Sequence, residues 1–282
     1  MSTLKTRILT ALVLVPLVLF ALFALGARGW GVVTLVVVVI AAGEWARLSR
    51  FGQVGSLMFV AGMLLVGAGL LFAGAGNFST GQGWPEIVVV SLCGVATLFW
   101  IFIAPPWLYF GWRIESQAVL ALVGGLLLIA TWVAVVQVRT RAPGLLLALM
   151  AIVWVADTAA YFTGRRFGRR KLAPSISPGK TWEGVYGAMF AVAVYSLALL
   201  GSAPVEFVRS VTVGSAVAWI ALALLLAGLS IVGDLFESQM KRQRGVKDSG
   251  RLLPGHGGVL DRIDALIAAM PGAALVQHYL IR

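Results

Sequence analysis

Five of the eleven acids in this 282-residue chain, and six of its bases, fall between Asp234 and Asp264, in DLFESQMKRQRGVKDSGRLLPGHGGVLDRID. Carboxylates suit a hard cation, and Lys and Arg suit phosphate. A connector that needed only solvation would use Ser, Asn and scattered Lys. This mixture, set where two apolar stretches meet water, points to phosphate chemistry carried out at a membrane surface.

Asp261 and Asp264 are three apart, so on a helix they project about 60° from one another and can share one cation. Both can equally favour the N-terminal dipole of the last helix. That dipole accounts for an acid in the first turn, but not for a second one near hydrocarbon beside Arg262. Asp234 closes the eighth apolar window, with Glu237 and Ser238 one turn on and Lys241 and Arg242 another turn beyond. Glu237 with Lys241 has the spacing of an ordinary helical surface pair. An acid at a helix C-terminus opposes the dipole unless a cation compensates it, so Asp234 is read as the second metal carboxylate. Singly, Lys241, Arg242, Lys247 and Arg251 read as topology determinants; as a set facing carboxylates they read as a phosphate site. Gly255, Gly257 and Gly258 offer amides that an anion can approach ahead of a helix N-terminus. His256 is either a member of that site or a turn residue bonded to backbone.

A first basic loop, GRRFGRRKLAPSISPGKTWEG, runs over 164–184, where Pro174 and Pro178 break any helix. It follows a span carrying Asp157, which is costly so near hydrocarbon unless it faces a polar cavity or a partner. Gly179, Lys180 and Thr181 imitate the end of a P-loop, but Pro174 takes the position of the earlier glycine and no strand is expected ahead of it. What survives is Ser175, Ser177, Lys180 and Thr181 as hydroxyl and ammonium donors. Glu44, near the end of the second window, reads as polar glue or a site member and is left unassigned.

The elements that must hold these residues are membrane helices. With 60% apolar and 12% charged residues, the chain has more hydrocarbon than a soluble fold can hide. A span needs roughly 20 mostly apolar residues. Nine windows qualify: 8–25, 30–46, 57–75, 86–104, 118–136, 144–161, 184–200, 214–232 and 259–280. The expected fold is therefore an all-α polytopic bundle of about nine transmembrane helices. The first window has the charge pattern of a signal peptide but is too long for one and is read as a span. With the N-terminus in the cytoplasm, 17 of the 22 Lys and Arg lie inside, and Arg28, Arg139, Arg141, Arg209 and Arg282 lie outside. Residues 1–143 form a sparsely charged N-terminal set of five spans. Residues 144–282 form the catalytic region, with basic cytoplasmic loops at 164–183 and 234–258.

The net charge of +11 is then a one-sided field that attracts anionic lipids and nucleotides. Nucleic acid is not an expected partner, because the bases border apolar spans and lack interleaved stacking aromatics. Cys93 is the sole cysteine, so disulfides within one chain are excluded. No internal repeat supports a duplicated transporter.

Ser238, Lys241, Arg242, Lys247, Asp248 and PGHGGVLDRID from Pro254 to Asp264 resemble the signature of the phosphatidate cytidylyltransferases, the CDP-diacylglycerol synthases. The resemblance extends to VWVADTAAYFTGRRFG from Val153, SPGKTWEG from Ser177, GDLFES from Gly233 and the N-terminal LKTRILTALVLVPLVL. It implies a multi-pass enzyme of the bacterial inner membrane, facing the cytoplasm, that joins CTP to phosphatidic acid and releases pyrophosphate. It further implies Mg²⁺ at Asp234 and Asp261, K⁺ as a companion cation, and a homodimer. Asp234, Asp261, Asp264, Lys247 and Asp248 are then the expected catalytic set. Ser238, Lys241, Arg242, His256, Arg262, Ser177, Lys180 and Thr181 are expected to contact substrate phosphate.

Two other readings remain from the residues alone. A CTP-dependent lipid-alcohol kinase would want a base and fewer cations, since its acceptor is neutral. An anion transporter would want matching charge on the other face, and the charge here crowds on one.

Overall fold

A backbone crossing hydrocarbon must satisfy its own hydrogen bonds, and this chain does so almost wholly with helices. The computed structural model describes residues 3–201 and 212–280. Arg209 and Arg282, used in the charge count above, lie outside the described residues. The order is α1 (Thr3–Ala24), α2 (Ala27–Leu48), α3 (Gln53–Ala73), a short α4 (Ala75–Ser79), α5 (Glu86–Leu98), a π-helical turn (Phe99–Ile103) and α6 (Ala104–Phe110). Then come α7 (Gln117–Arg141), α8 (Pro143–Phe167), β1 (Lys171–Ala173), β2 (Ser177–Thr181), α9 (Trp182–Gly201), α10 (Val213–Arg244) and α11 (Leu260–Leu280).

Each of the nine apolar windows falls on a helix, so the all-α polytopic expectation holds. Among the described residues seven helices are long and apolar enough to cross a membrane, with Glu86–Phe110 counted as one. α11 is not among these seven, and the apolar part of α1, Ile8–Ala24, is shorter. Pro105 and Pro106 bring no N–H donors to the 86–110 helix, and the preceding π turn absorbs the irregularity.

The centre of the bundle is α7, packed against α2, α5 and α11. Its Trp132 is buried and donates through Nε1 to the Gly31 carbonyl at 3.0 Å, and Trp45 of α2 donates to the Leu120 carbonyl at 2.9 Å. Indoles fill large volumes, and these two leave no orphaned donor. Phe236 of α10 sits among Phe99, Trp100 and Trp107, with ring centroids 5.6, 5.4 and 5.2 Å away. Arg139 is buried too, donating through Nε to the Leu22 carbonyl at 3.1 Å and through Nη2 to Leu25. It satisfies carbonyls at the C-terminal end of α1, as a cation there should.

Two expectations about helix ends are corrected. α10 does not stop near residue 232: it continues through FESQMKRQR to Arg244 and ends only at Gly245, with φ +73°. That stretch contains no Gly or Pro to break it, and Gly245 supplies the left-handed turn that caps it. Asp234 therefore lies ten residues before the helix end, and the dipole argument made for it does not apply. The second basic loop is 245–259, and the first is a β-hairpin between Phe167 and Trp182. Glu183, in the first turn of α9, accepts from the Arg169 and Arg170 amides at 3.0 and 3.2 Å and closes the hairpin base.

α10 and α11 touch at Gly233. A Cβ there would meet the Asp264 carbonyl at 2.6 Å and the Ala268 Cβ at 2.8 Å. Small residues permit this kind of close crossing. We predict that Gly233→Val costs about 2 kcal/mol or more, seen as a lowered melting transition in detergent. Gly94→Ala adds a methyl with nothing within 4 Å and should melt at or slightly above the wild type. Equal melting of all three proteins would refute the close crossing.

Candidate active site

The close crossing at Gly233 brings the polar ends of α10 and α11 together. Along one face of α10 come Asp234, then Glu237 and Ser238, then Lys241. The Lys241 ammonium lies 2.7 Å from Asp261 Oδ1 on α11 and also pairs with Glu237 one turn back. The three side chains are 12%, 4% and 5% exposed for Lys241, Glu237 and Asp261, so they form a desolvated ion cluster and not a surface pair. The other Glu237 oxygen, Oε1, is buried without a partner.

Asp261 is committed on both oxygens. Oδ2 accepts from the Ser249 and Gly258 amides at 2.9 and 2.7 Å. Asp234 is engaged elsewhere: Oδ2 lies 2.7 Å from the Lys180 ammonium of β2, and Oδ1 accepts from Ser238 Oγ at 3.3 Å. Lys241 is seven residues past Asp234, about 10 Å along the axis. The acids that were expected to share a cation thus fall into two groups.

Asp264 stands between the two groups, acting on Glu237 and Lys241 as well as on Asp234. Its carboxylate is close enough to Asp234 and to Asp157 of α8 for their charges to interact. Asp157 in turn feels Asp234, Lys180 and Arg262. Asp157 and Asp234 thus line one cleft with Lys180, and the charge of Asp264 on α11 acts on both from beside it. Oxygen donors of this kind are the chemistry a hard divalent cation requires. Among the described residues no three such side chains already form a closed cage, so a cation would draw them in from their present partners.

Two clefts open on this region. One, about 760 Å³, runs between α8, the hairpin, α9 and α10 and is lined by Asp157, Asp234, Lys180, Lys171, Arg165 and Ser177. Exposed Tyr161, Trp182 and Tyr186 stand on its α8 and α9 walls or beside them. The other, about 570 Å³, is formed by the 245–259 loop and lined by Lys247, Asp248, Arg251, His256 and Arg262. Arg262 lines the second cleft while interacting with Asp157 of the first.

Other sequence-derived candidates have structural duties. Thr181 Oγ1 accepts from the Gly184 amide at 3.2 Å and caps α9. Arg242 Nε donates to the Ile176 carbonyl at 3.2 Å and ties α10 to the hairpin. Contrary to expectation a strand, β1, does precede the Gly179-Lys180-Thr181 triplet. The triplet itself lies in β2, antiparallel to β1, so the P-loop reading fails on topology as well. The glycine-turn amides are not free for an anion either. His256 and Gly257 donate to the Leu253 carbonyl at 2.9 and 3.1 Å, and Gly258 donates to Asp261. His256 is thus bonded through its backbone as a turn residue, while its ring faces the second cleft with Nδ1 buried and unpartnered.

Sequence reasoning passed over Glu237, which its spacing disguised as a surface pair. Asp157 was noticed for its cost near hydrocarbon but not placed with the others, because its partners lie on α10 and α11. Glu44 was noticed as polar glue or a site member but left unassigned, because its hydrogen-bond donors lie more than 200 residues on.

The bundle and its charged end define a polytopic membrane protein that gathers acids and bases at one end of α8, α10 and α11. Over residues 5–280 the sequence matches the Cytidylyltransferase family. It is 41% identical to a phosphatidate cytidylyltransferase of Pseudomonas aeruginosa over 95% of this chain and 94% of that one. To a phosphatidate cytidylyltransferase of Haemophilus influenzae it is 37% identical over 95% and 96%. A third relative of the same name, from Thermotoga maritima, is 44% identical over 46% of this chain and 47% of its own. The chain belongs to the cytidylyltransferase family.

We predict that Lys241→Met, which leaves two buried carboxylates uncompensated, destabilises the protein by about 3 kcal/mol or more. Glu237→Gln added to that variant should restore part of the loss. A Lys241→Met protein that melts like the wild type would refute the buried cluster.

Proposed function

We propose that this protein transfers the cytidylyl group of CTP to phosphatidic acid, giving CDP-diacylglycerol and pyrophosphate, at the cytoplasmic face of a bacterial inner membrane. The observation that carries the reading is the Lys180–Asp234 ion pair in a cleft that Asp157, Lys171 and Arg165 also line, beside a second cleft lined by Lys247, Arg251 and Arg262. The family match and the names of relatives covering nearly the whole chain support the reaction. The inside bias of Lys and Arg supports the orientation.

In this reaction an oxygen of the lipid phosphate attacks the α-phosphorus of CTP, and the bond from that phosphorus to the β-phosphate bridging oxygen breaks. Near neutral pH a phosphate monoester is already an anion, so no strong base is required. The obstacle is repulsion between two polyanions, and the side chains best suited to reduce it are Lys and Arg. The abundance of bases favours this anionic acceptor over the neutral alcohol of a lipid kinase.

The two clefts differ in a way that suits two substrates. The first adjoins exposed aromatic side chains of α8 and α9 and fits a lipid head group arriving from the bilayer, with Lys180 and Ser177 meeting its phosphate. The second, built from the polar loop, fits the triphosphate of CTP, with Lys247, Arg251, His256 and Arg262 around it. Asp248 shares that cleft and suits a role in setting its lysine and arginine neighbours. A bound Mg²⁺ would neutralise phosphate charge and polarise the α-phosphoryl group. Asp234, with Asp264 and Asp157, would hold it, and K⁺ would suit a second, weaker site. Asp261 is free to join only when Lys241 turns from it toward a phosphate.

Membranes or purified protein supplied with phosphatidic acid, Mg²⁺ and CTP labelled at the α-phosphate should yield labelled lipid; label entering lipid only from the γ-phosphate would identify a kinase instead. Asp234→Asn should lower turnover by about a hundredfold or more while the protein still inserts. Lys247→Ala with Arg251→Ala should raise KM for CTP more than KM for phosphatidic acid, and the opposite split would reverse the cleft assignment.

A further inference from the structure

Glu44 of α2 is 2% exposed and far in sequence from the residues whose hydrogen bonds it accepts. Its Oε2 accepts from Ser249 Oγ at 2.9 Å and from the Leu260 amide at 2.7 Å, and its Oε1 accepts from the Val259 amide at 3.1 Å. Arg47, one turn on, lies 3.8 Å from Oε1 and donates to the Ser249 carbonyl at 3.5 Å. The loop backbone is pressed against this carboxylate. A Cβ on Gly250 would lie 2.1 Å from Oε1, and one on Gly258 would lie 2.4 Å from Oε2.

A buried carboxylate is costly where mere packing is needed, and an apolar side chain would fill the same space. What the carboxylate adds is several acceptor sites and a negative charge at the N-terminus of α11, whose first amides it receives. It also acts on the same segments as Asp261. Ser249 and Gly258 donate their amides to Asp261 Oδ2, while Ser249 Oγ and the next amide after Gly258 go to Glu44. The two acids grip the start and the end of one loop segment together.

We infer that Glu44 is a positioning residue for the cytidylyl transfer: a clamp from the N-terminal half that fixes the 245–259 loop and the first turn of α11. It thereby fixes the second cleft and the orientation of Asp261. The inference rests on assigning that loop to substrate. Loss of the clamp frees Ser249 and Gly258, so Asp261 loses its two amide partners and the loop bearing Lys247, Arg251 and His256 opens more often.

Two readouts on Glu44→Gln test this. The amide keeps the shape but sets an N–H₂ group against a donor. Trypsin cleavage after the exposed Lys247 and Arg251, followed in detergent-purified protein, should speed up about tenfold, as expected for weakened hydrogen bonds to a charged group. The KM for CTP should rise by a similar factor, whereas simple loss of folded enzyme would lower kcat at constant KM. Ser249→Ala should show a smaller change of the same kind, and should add nothing in the Glu44→Gln background. Unchanged cleavage, or faster cleavage with unchanged KM, would overturn the proposal. If Glu44→Gln fails to accumulate, Ser249→Ala alone decides, and wild-type values for both readouts would overturn it. Absence of CTP-dependent lipid labelling by the wild type would instead overturn the reaction assignment and leave the cleavage result standing.

Discussion

The constraint behind this architecture is that a charge near hydrocarbon is costly unless it is paired, because water is too far away to solvate it. Lys241 answers to Glu237 and Asp261, and Lys180 answers to Asp234. Two of these pairings join separate segments: Lys241–Asp261 ties α10 to α11, and Lys180–Asp234 ties β2 to α10. Gly233 lets the first of these approaches happen at backbone distance. The polar end of the bundle is therefore as tightly specified as its apolar centre, by electrostatics in place of volume.

The aromatic floor beneath the ion cluster serves the same end. Phe236 is locked among Phe99, Trp100 and Trp107, and Glu237 follows it directly on α10. Fixing the ring fixes the rotation of the helix, and hence where Asp234 and Lys241 point one turn to either side. The π turn at Phe99–Ile103 presents two of those rings. An irregularity in the first half of the chain thus helps to set the aim of charged groups in the second.

The helices were legible because length and hydropathy are local properties: each of the nine windows fell on a helix, and among the described residues seven helices are long and apolar enough to cross a membrane. Helix ends were less so. Asp234 was read as terminal because hydrophobicity falls after Val232, yet the polar stretch 234–244 is helix-compatible and the helix runs on to Arg244, with Gly245 as its stop. Thr181 and Arg242 looked like free donors because their capping and bracing partners are set by the hairpin. Asp261 and Asp264 are three apart in sequence and both act on Glu237 and Lys241, but only Asp261 receives the two loop amides, while Asp264 also acts on Asp234 and Asp157. Spacing on one helix says which residues share a face, not what stands opposite.

Glu44 makes the point most sharply, because its partners lie 205 to 216 positions away. Nothing around it in the sequence distinguishes it from a polar residue at the end of a span. The sign came from the other side, in Gly250 and Gly258, whose lack of side chain leaves room for a carboxylate that the loop itself does not supply. A glycine-rich loop read alone suggests amides open to a ligand. In the folded chain the amides from Gly257 to Val259 are already spent on the Leu253 carbonyl and on the carboxylates of Asp261 and Glu44. The glycines admit Glu44 and Asp261 to the backbone, so this loop is held by carboxylates from α2 and α11.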